Sequence, residues 1–217
     1  MANAGKQNRE VGVFRKIQVS AGIDVYFTQE KSQSVRIETE NVEVDEIVTE
    51  VKNEALVIKM KDRNNRGTTM QKQSIKVYVS APVLEGLSTS GGSDFYANNL
   101  KSSDFGIAAS GGSDIHIGNL AVSGKTDIAT SGGSDCDIKN LKTGVCRIAT
   151  SGGSDTKIGI EVSGELTVAT SGASDVKLSG TANTVSILAS GSSDVDVRNL
   201  KYEKIDSKTS GGADVHK

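Results

Sequence analysis

The sequence predicts an all-β chain wound into a parallel β-solenoid, and three observations predict it. A Ser-Gly-Gly-Ser-Asp motif starts at Ser90, Ser110, Ser131, Ser151, Ser171, Ser190 and Ser210, at intervals of 20, 21, 20, 20, 19 and 20 residues. Self-similarity at a fixed spacing of this size marks stacked structural repeats. Around each motif, apolar and polar residues alternate with the two-residue period of a strand that buries one face. The composition also suits a narrow core of stacked aliphatic side chains: 35 % hydrophobic and 24 glycines, but 4 % aromatics, one proline and no tryptophan.

Each repeat supplies two short strands. After the motif aspartate come Ile115-His116-Ile117, Cys136-Asp137-Ile138, Thr156-Lys157-Ile158, Val176-Lys177-Leu178 and Val195-Asp196-Val197. Before it come Phe105-Gly106-Ile107, Cys146-Arg147-Ile148, Leu166-Thr167-Val168 and Val185-Ser186-Ile187. Gly, Asn, Ser and Lys between them read as turns. One such unit cannot bury its own apolar face, whereas stacked units can. Two columns then fix the register: Leu87, Ile107, Ile128, Ile148, Val168 and Ile187, and Phe95, Ile115, Cys136, Thr156, Val176 and Val195. A helix is excluded by the glycines and β-branched residues inside every unit. The handedness of parallel crossovers gives a right-handed coil as the expectation, with a left-handed one as the alternative.

The expected organisation is an irregular β-rich part over residues 1–86, capping the N-terminal end, and a regular solenoid over 87–217. Residues 11–19, 22–29, 34–39, 47–52, 56–61 and 74–79 read as strands, and 63–73 as a polar, mobile loop. The stretch from Ser20 to Phe27, Ser-Ala-Gly-Ile-Asp-Val-Tyr-Phe, looks like a worn copy of the motif and its strand. Wider first coils are the reading for this part, and a separate β-sandwich is the alternative.

These residues carry a resemblance. Phe14-Arg-Lys-Ile-Gln-Val19 and Gly22-Ile-Asp-Val25 lead through Ile75-Lys-Val-Tyr-Val-Ser-Ala-Pro82 into the repeated motif. Across essentially the whole chain this order resembles the head GIN domain family of auto-transporter-type adhesins, bacterial envelope proteins common in Bacteroidetes. The resemblance implies a β-helical, exported protein at the cell envelope or outside the cell, often a lipoprotein, and supplies no functional residues.

Charge excludes one class of partner. The chain has 25 basic and 27 acidic residues, and neither half has the basic excess of a nucleic-acid surface. No apolar run reaches the roughly 18 residues of a membrane span. The first residues also lack a signal peptide's apolar stretch, so the expectation is either a cytosolic protein or one whose export segment has been removed.

Four features carry candidate chemistry. The aspartate column Asp94, Asp114, Asp135, Asp155, Asp175, Asp194 and Asp214 reads as a structural corner in which Gly N–H groups and Ser hydroxyls bind the carboxylates. A row of Ca²⁺ is its alternative. The column Thr89, Ala109, Thr130, Thr150, Thr170, Ala189 and Thr209 suits strands that turn methyls inward, with an ice-binding face as the alternative. His116 and His216, five coils apart, read as solvated surface residues that share no metal. Cys136 and Cys146, on opposite strands of one coil, read as buried free thiols, because packed sheets lie about 10 Å apart and a disulfide needs Cα atoms within about 7 Å.

No nucleophile elbow, phosphate loop or dinucleotide fingerprint occurs. The outward column Tyr96, His116, Asp137, Lys157, Lys177, Asp196 and His216 reads as an ordinary wet face. The expectation is therefore a non-enzymatic extracytoplasmic binding or scaffold protein with no catalytic, cofactor-binding or metal residues. It is adhesin-like by resemblance, and its partner is a surface glycan or protein. A calcium-stabilised repeat and a carbohydrate-active enzyme are the alternatives. The last coil is expected to leave an open edge that either self-associates end to end or is covered by the N-terminal segment.

Overall fold

The computed structural model describes residues 4–61 and 73–217. The stretch read as a polar loop lies outside the described residues, Gln73 apart. Among the described residues there is no α-helix, only a 3-10 turn at Val44–Glu46, and all strands join one sheet network wound into a parallel solenoid.

From residue 86 onward the coils follow the repeat. One face stacks β8 (Gly86–Ser90), β10 (Phe105–Ser110), β12 (Lys125–Ser131) and β14 (Val145–Thr150) in parallel. The other stacks β9 (Phe95–Ser102), β11 (Ile115–Val122) and β13 (Cys136–Thr143). In the later coils both runs merge into long bent strands, β15 (Asp155–Thr170), β16 (Asp175–Gly191) and β17 (Asp194–Gly211), before β18 (Asp214–His216). Both apolar columns stack residue upon residue as the alternation requires, and they form one continuous core. Each coil differs from the simple two-strand reading in one way. At Asn98-Asn99 two successive side chains face solvent and the ladder skips a pair, which bends the longer strand.

The motif's glycines make the corner. The first glycine of every copy has φ between +62° and +82°. The second is also left-handed at Gly92, Gly112 and Gly133, but not at Gly153. Only beyond that coil do Ala173 and Ser192 replace it, as the cost of a side chain in left-handed backbone requires.

The N-terminal part is threaded out of sequence order. β2 (Lys16–Ser20) and β3 (Asp24–Gln29) form a true coil around Ser20–Asp24, and Ala21 takes φ +72 where the motif has glycine. This coil is sandwiched. β8 and β9 lie on one side, and β6 (Ala55–Met60) and β7 (Ser74–Ala81) on the other, all in parallel. The columns therefore extend as Leu56–Ile17–Leu87 and Val77–Val25–Phe95. Antiparallel strands then end the stack: β5 (Ile47–Lys52) on β6, β4 (Ser34–Glu40) on β7, and β1 (Ala4–Arg9) on β4.

At the other end β17 pairs only with β16 and, over Asp194–Asp196, with β18. The isoleucine column ends in Ser207, and Lys201, Glu203, Lys204, Asp206 and Lys208 load this edge with charge, a common guard against strand addition. The N-terminal strand β1 lies at the opposite end and does not cover it.

Candidate binding surface

The motif's side chains divide inward and outward. The second serine points into the core: Ser93, Ser113, Ser134, Ser154, Ser174 and Ser193 are fully buried. In the first coils each hydroxyl accepts an N–H from the coil before it, Ile23 to Ser93 at 3.0 Å, Ser93 to Ser113 at 3.2 Å, Ser113 to Ser134 at 3.2 Å and Ser134 to Ser154 at 3.1 Å. Later ones donate to carbonyls, as Ser174 and Ser193 do to Ser171 and Ser190 at 2.9 Å. These hydroxyls therefore do not serve the aspartates, contrary to the sequence reading.

The aspartates line the outside of the corner. Each early carboxylate accepts the amide of the next aspartate in the stack: Asp114 N–H to Asp94 at 3.0 Å, Asp135 to Asp114 at 3.4 Å, and Asp155 to Asp135 at 3.2 Å. The donors are aspartate amides, not the glycine amides the sequence suggested. Partial burial raises the pKa of Asp24, Asp114 and Asp155, and neighbouring carboxylates of the column raise it further. Among the described residues no three His, Cys, Asp or Glu side chains converge as a metal-binding group.

The threonine column faces the core. Thr89, Thr130, Thr150 and Thr170 are buried, as are Ala109 and Ala189, and only Thr209 in the last coil is exposed. A buried column presents no surface to ice, so that alternative fails. Cys136 and Cys146 are free and buried, and burial pushes both thiols up to about 12.

The outward column next to the aspartates is not an ordinary wet face at its N-terminal end. Because the coil of β2 and β3 lies between those of β7 and β9, Tyr78, Tyr26, Tyr96 and His116 fall in one line. Their rings stack with centroids 5.3, 4.9 and 5.2 Å apart and planes within 22° of parallel. Such offset stacks contribute about 0.5–1.5 kcal/mol each beyond burial. Arg36 covers the free face of Tyr78 with its guanidinium 4.4 Å from the ring centroid, and it pairs with Glu38 at 3.1 Å. Two of the three phenols meet carboxylates: Tyr96 donates to Asp94 at 3.3 Å, and Tyr78 to Glu38. Desolvation and the Asp94 charge push the Tyr96 phenol up to about 12. His116 is exposed, as expected, but it closes the stack rather than standing alone.

A groove of about 630 Å³ opens beside Tyr26 and Tyr78, between the solenoid and residues 8–11, the end of β1 and the two residues after it. Its walls carry Asn8, Glu10, Thr28, Glu30 and Gln33. Gln33 anchors this segment by donating to the carbonyls of Val11 and Gly12 at 3.3 and 3.0 Å. A second surface is plainer: Ala108, Ala129, Ala149, Ala169 and Leu188 form an exposed apolar stripe on the opposite run of the coil. No helix among the described residues is long and apolar enough to cross a membrane.

Comparison with solved structures supports the fold. The chain superposes on a putative adhesin of Bacteroides fragilis NCTC 9343 with a TM-score of 0.84 at 18 % identity, covering 99 % of this chain and 96 % of that one. A putative adhesin of Parabacteroides merdae ATCC 43184 gives 0.72 at 15 % identity, over 98 % and 95 % of the two chains. A putative lipid binding protein of Parabacteroides distasonis ATCC 8503 gives 0.61 at 17 %, over 99 % and 96 %. No curated protein matches. The family model described as "Putative auto-transporter adhesin, head GIN domain" matches twice in succession, over residues 13–126 and 125–216. Spanning nearly the whole chain, these matches place it: the chain belongs to this head GIN domain family.

Proposed function

We propose that this chain is a non-enzymatic binding protein of the cell envelope or cell exterior, a rigid rod that presents one recognition surface near its N-terminal end. The observation that carries this reading is the ladder of Tyr78, Tyr26, Tyr96 and His116 beside an open groove. Beyond His116 the same outward column continues as Asp137, Lys157, Lys177 and Asp196, changing charge from coil to coil, which suits solvent contact. A hydrolase or lyase needs ionisable groups converging in a cleft, with pKa values set for proton transfer. The carboxylates raised by burial, Asp24, Asp114 and Asp155, lie instead in a row along the corner, each held by the backbone of the next aspartate in the stack. The family's adhesin description and the adhesin names of two structural relatives agree with a binding role and an envelope location.

The test is an array of glycans and matrix proteins probed with the purified chain, with and without calcium. Selective retention of one ligand class, reduced by Tyr26→Ala/Tyr78→Ala, is the expected result. No retention of any ligand would refute the reading. Retention and a melting temperature that both rise with calcium would favour the calcium-stabilised repeat instead.

A further inference from the structure

Resting on that reading, we infer that the aromatic ladder and its groove bind an extended, uncharged polysaccharide laid along the axis of the rod. Three features of the site select this class of ligand.

The first is spacing. Ring centroids repeat every 4.9–5.3 Å along the axis, set by the stacking of parallel coils. Equatorially linked pyranoses in an extended chain advance by a closely similar distance per sugar. A linear polymer parallel to the rod therefore meets the same ring edge at each step.

The second is the polarity of what is presented. Stacking and Arg36 cover the ring faces, so the ladder offers ring edges and phenol oxygens. The phenols of Tyr96 and Tyr78 are bound to carboxylates, which makes their oxygens better acceptors for sugar hydroxyls. Asn8, Thr28, Glu10 and Glu30 add hydrogen-bonding groups on the groove walls.

The third is charge. Arg36 is held by Glu38, and Arg9 turns into the cap, donating to the carbonyl of Val44 at 3.0 Å. Glu10 and Glu30 have no ion-pair partner among the described residues, and the column beginning Asp24, Asp94 and Asp114 runs alongside. This field repels uronic and sulfated chains, and it leaves neutral ones unaffected. The groove is open rather than enclosed, which suits the middle of a chain and not a terminal sugar.

Affinity electrophoresis of the full chain tests this, in gels containing hydroxyethyl cellulose or galactomannan as neutral linear probes, and polygalacturonate or heparin as acidic ones. The wild type is expected to be retarded by a neutral probe, equally at low and high salt, and by neither acidic probe. Tyr26→Phe/Tyr78→Phe/Tyr96→Phe keeps the stacked rings and removes the phenol oxygens. It should weaken retardation roughly tenfold, as the loss of a few hydrogen bonds would, while a single cooperative thermal transition shows that the fold is kept. Retardation by acidic probes alone, or by neutral probes without loss in the triple variant, overturns the inference. If the array finds a protein ligand that the triple variant still binds, the inference fails while the broader binding function stands.

Discussion

Two adjacent glycines, Gly152 and Gly153, should respond oppositely to the same substitution. Gly152 has φ +80, and a Cβ there would sit 2.9 Å from the Gly132 amide nitrogen and 3.4 Å from its Cα. Both obstacles are backbone, so no rotamer change relieves them. Gly153 lies outside the left-handed region, and a Cβ there meets nothing within 4 Å. For Gly152→Ala the left-handed backbone alone costs about 1–2 kcal/mol, and the close approach to Gly132 adds to it. For Gly153→Ala, the smaller entropy of the unfolded chain stabilises by about 0.4–1 kcal/mol. In a chain of this size each kcal/mol moves the melting temperature by about 2–4 °C. Gly152→Ala should therefore fall by about 2–8 °C or more, and Gly153→Ala should rise by about 1–4 °C. Thermal unfolding followed by circular dichroism reads both. Equal melting temperatures, or a lower one for Gly153→Ala, would refute the claim that the corner's two glycines have different jobs.

The aspartate column sets a pH dependence. Burial, then neighbouring carboxylates, raises the folded-state pKa of Asp114 and Asp155, so their contribution is most favourable below the unfolded value of about 3.9 and is lost as pH rises through the folded value. Asp114→Asn/Asp155→Asn, which keeps an acceptor oxygen at each site, should melt higher than the wild type at pH 7 and converge with it near pH 3; a lower melting temperature at pH 7 would mean that the charges are compensated by a bound cation. The two cysteines, buried with thiols pushed up to about 12, should resist a thiol-disulfide reagent at pH 8 in the native protein and react fully in denaturant. Rapid labelling of the folded chain would show that the coil around Cys136 and Cys146 opens.

The regular half was legible because its information is local. Ile107, Ile128 and Ile148 recur at the coil length, and a one-residue slip would turn every one of them to solvent. The serine ladder was less legible. Sequence shows a serine beside an aspartate but not that Ser113 points inward to the Ser93 amide while Asp114 points out. β1 escaped notice because Gly5-Lys-Gln-Asn-Arg9 has no apolar alternation, and its pairing with β4 supplies what its side chains do not. The aromatic ladder could not be read from the repeat at all. Tyr78 and Tyr96 occupy corresponding places in two coils that follow one another in sequence, yet the ring between them comes from Tyr26, some fifty residues earlier than the first of the pair. A helical-wheel or period search compares neighbours in sequence, and here the neighbours in space are out of order. One signal was available: Asp24-Val-Tyr26 and Asp94-Phe-Tyr96 share the pattern of carboxylate, apolar residue and tyrosine.

The same threading gives the two ends of the rod different mechanics. The coil of β2 and β3 is made early in synthesis, but both pairs of strands that clamp it, β6 and β7 on one side and β8 and β9 on the other, arrive later. Its contacts thus span up to about seventy residues, and such long closures slow assembly relative to the coil-on-coil growth that follows. Once closed, the arrangement works against unravelling. Force applied through the N-terminal segment cannot strip this coil as an outermost layer, because later parts of the chain hold it from both sides. The C-terminal coils, each added on top of the last, can peel one at a time. A rod anchored by one end and loaded at the other would therefore yield first at its C-terminal coils, leaving the tyrosine ladder and its groove intact.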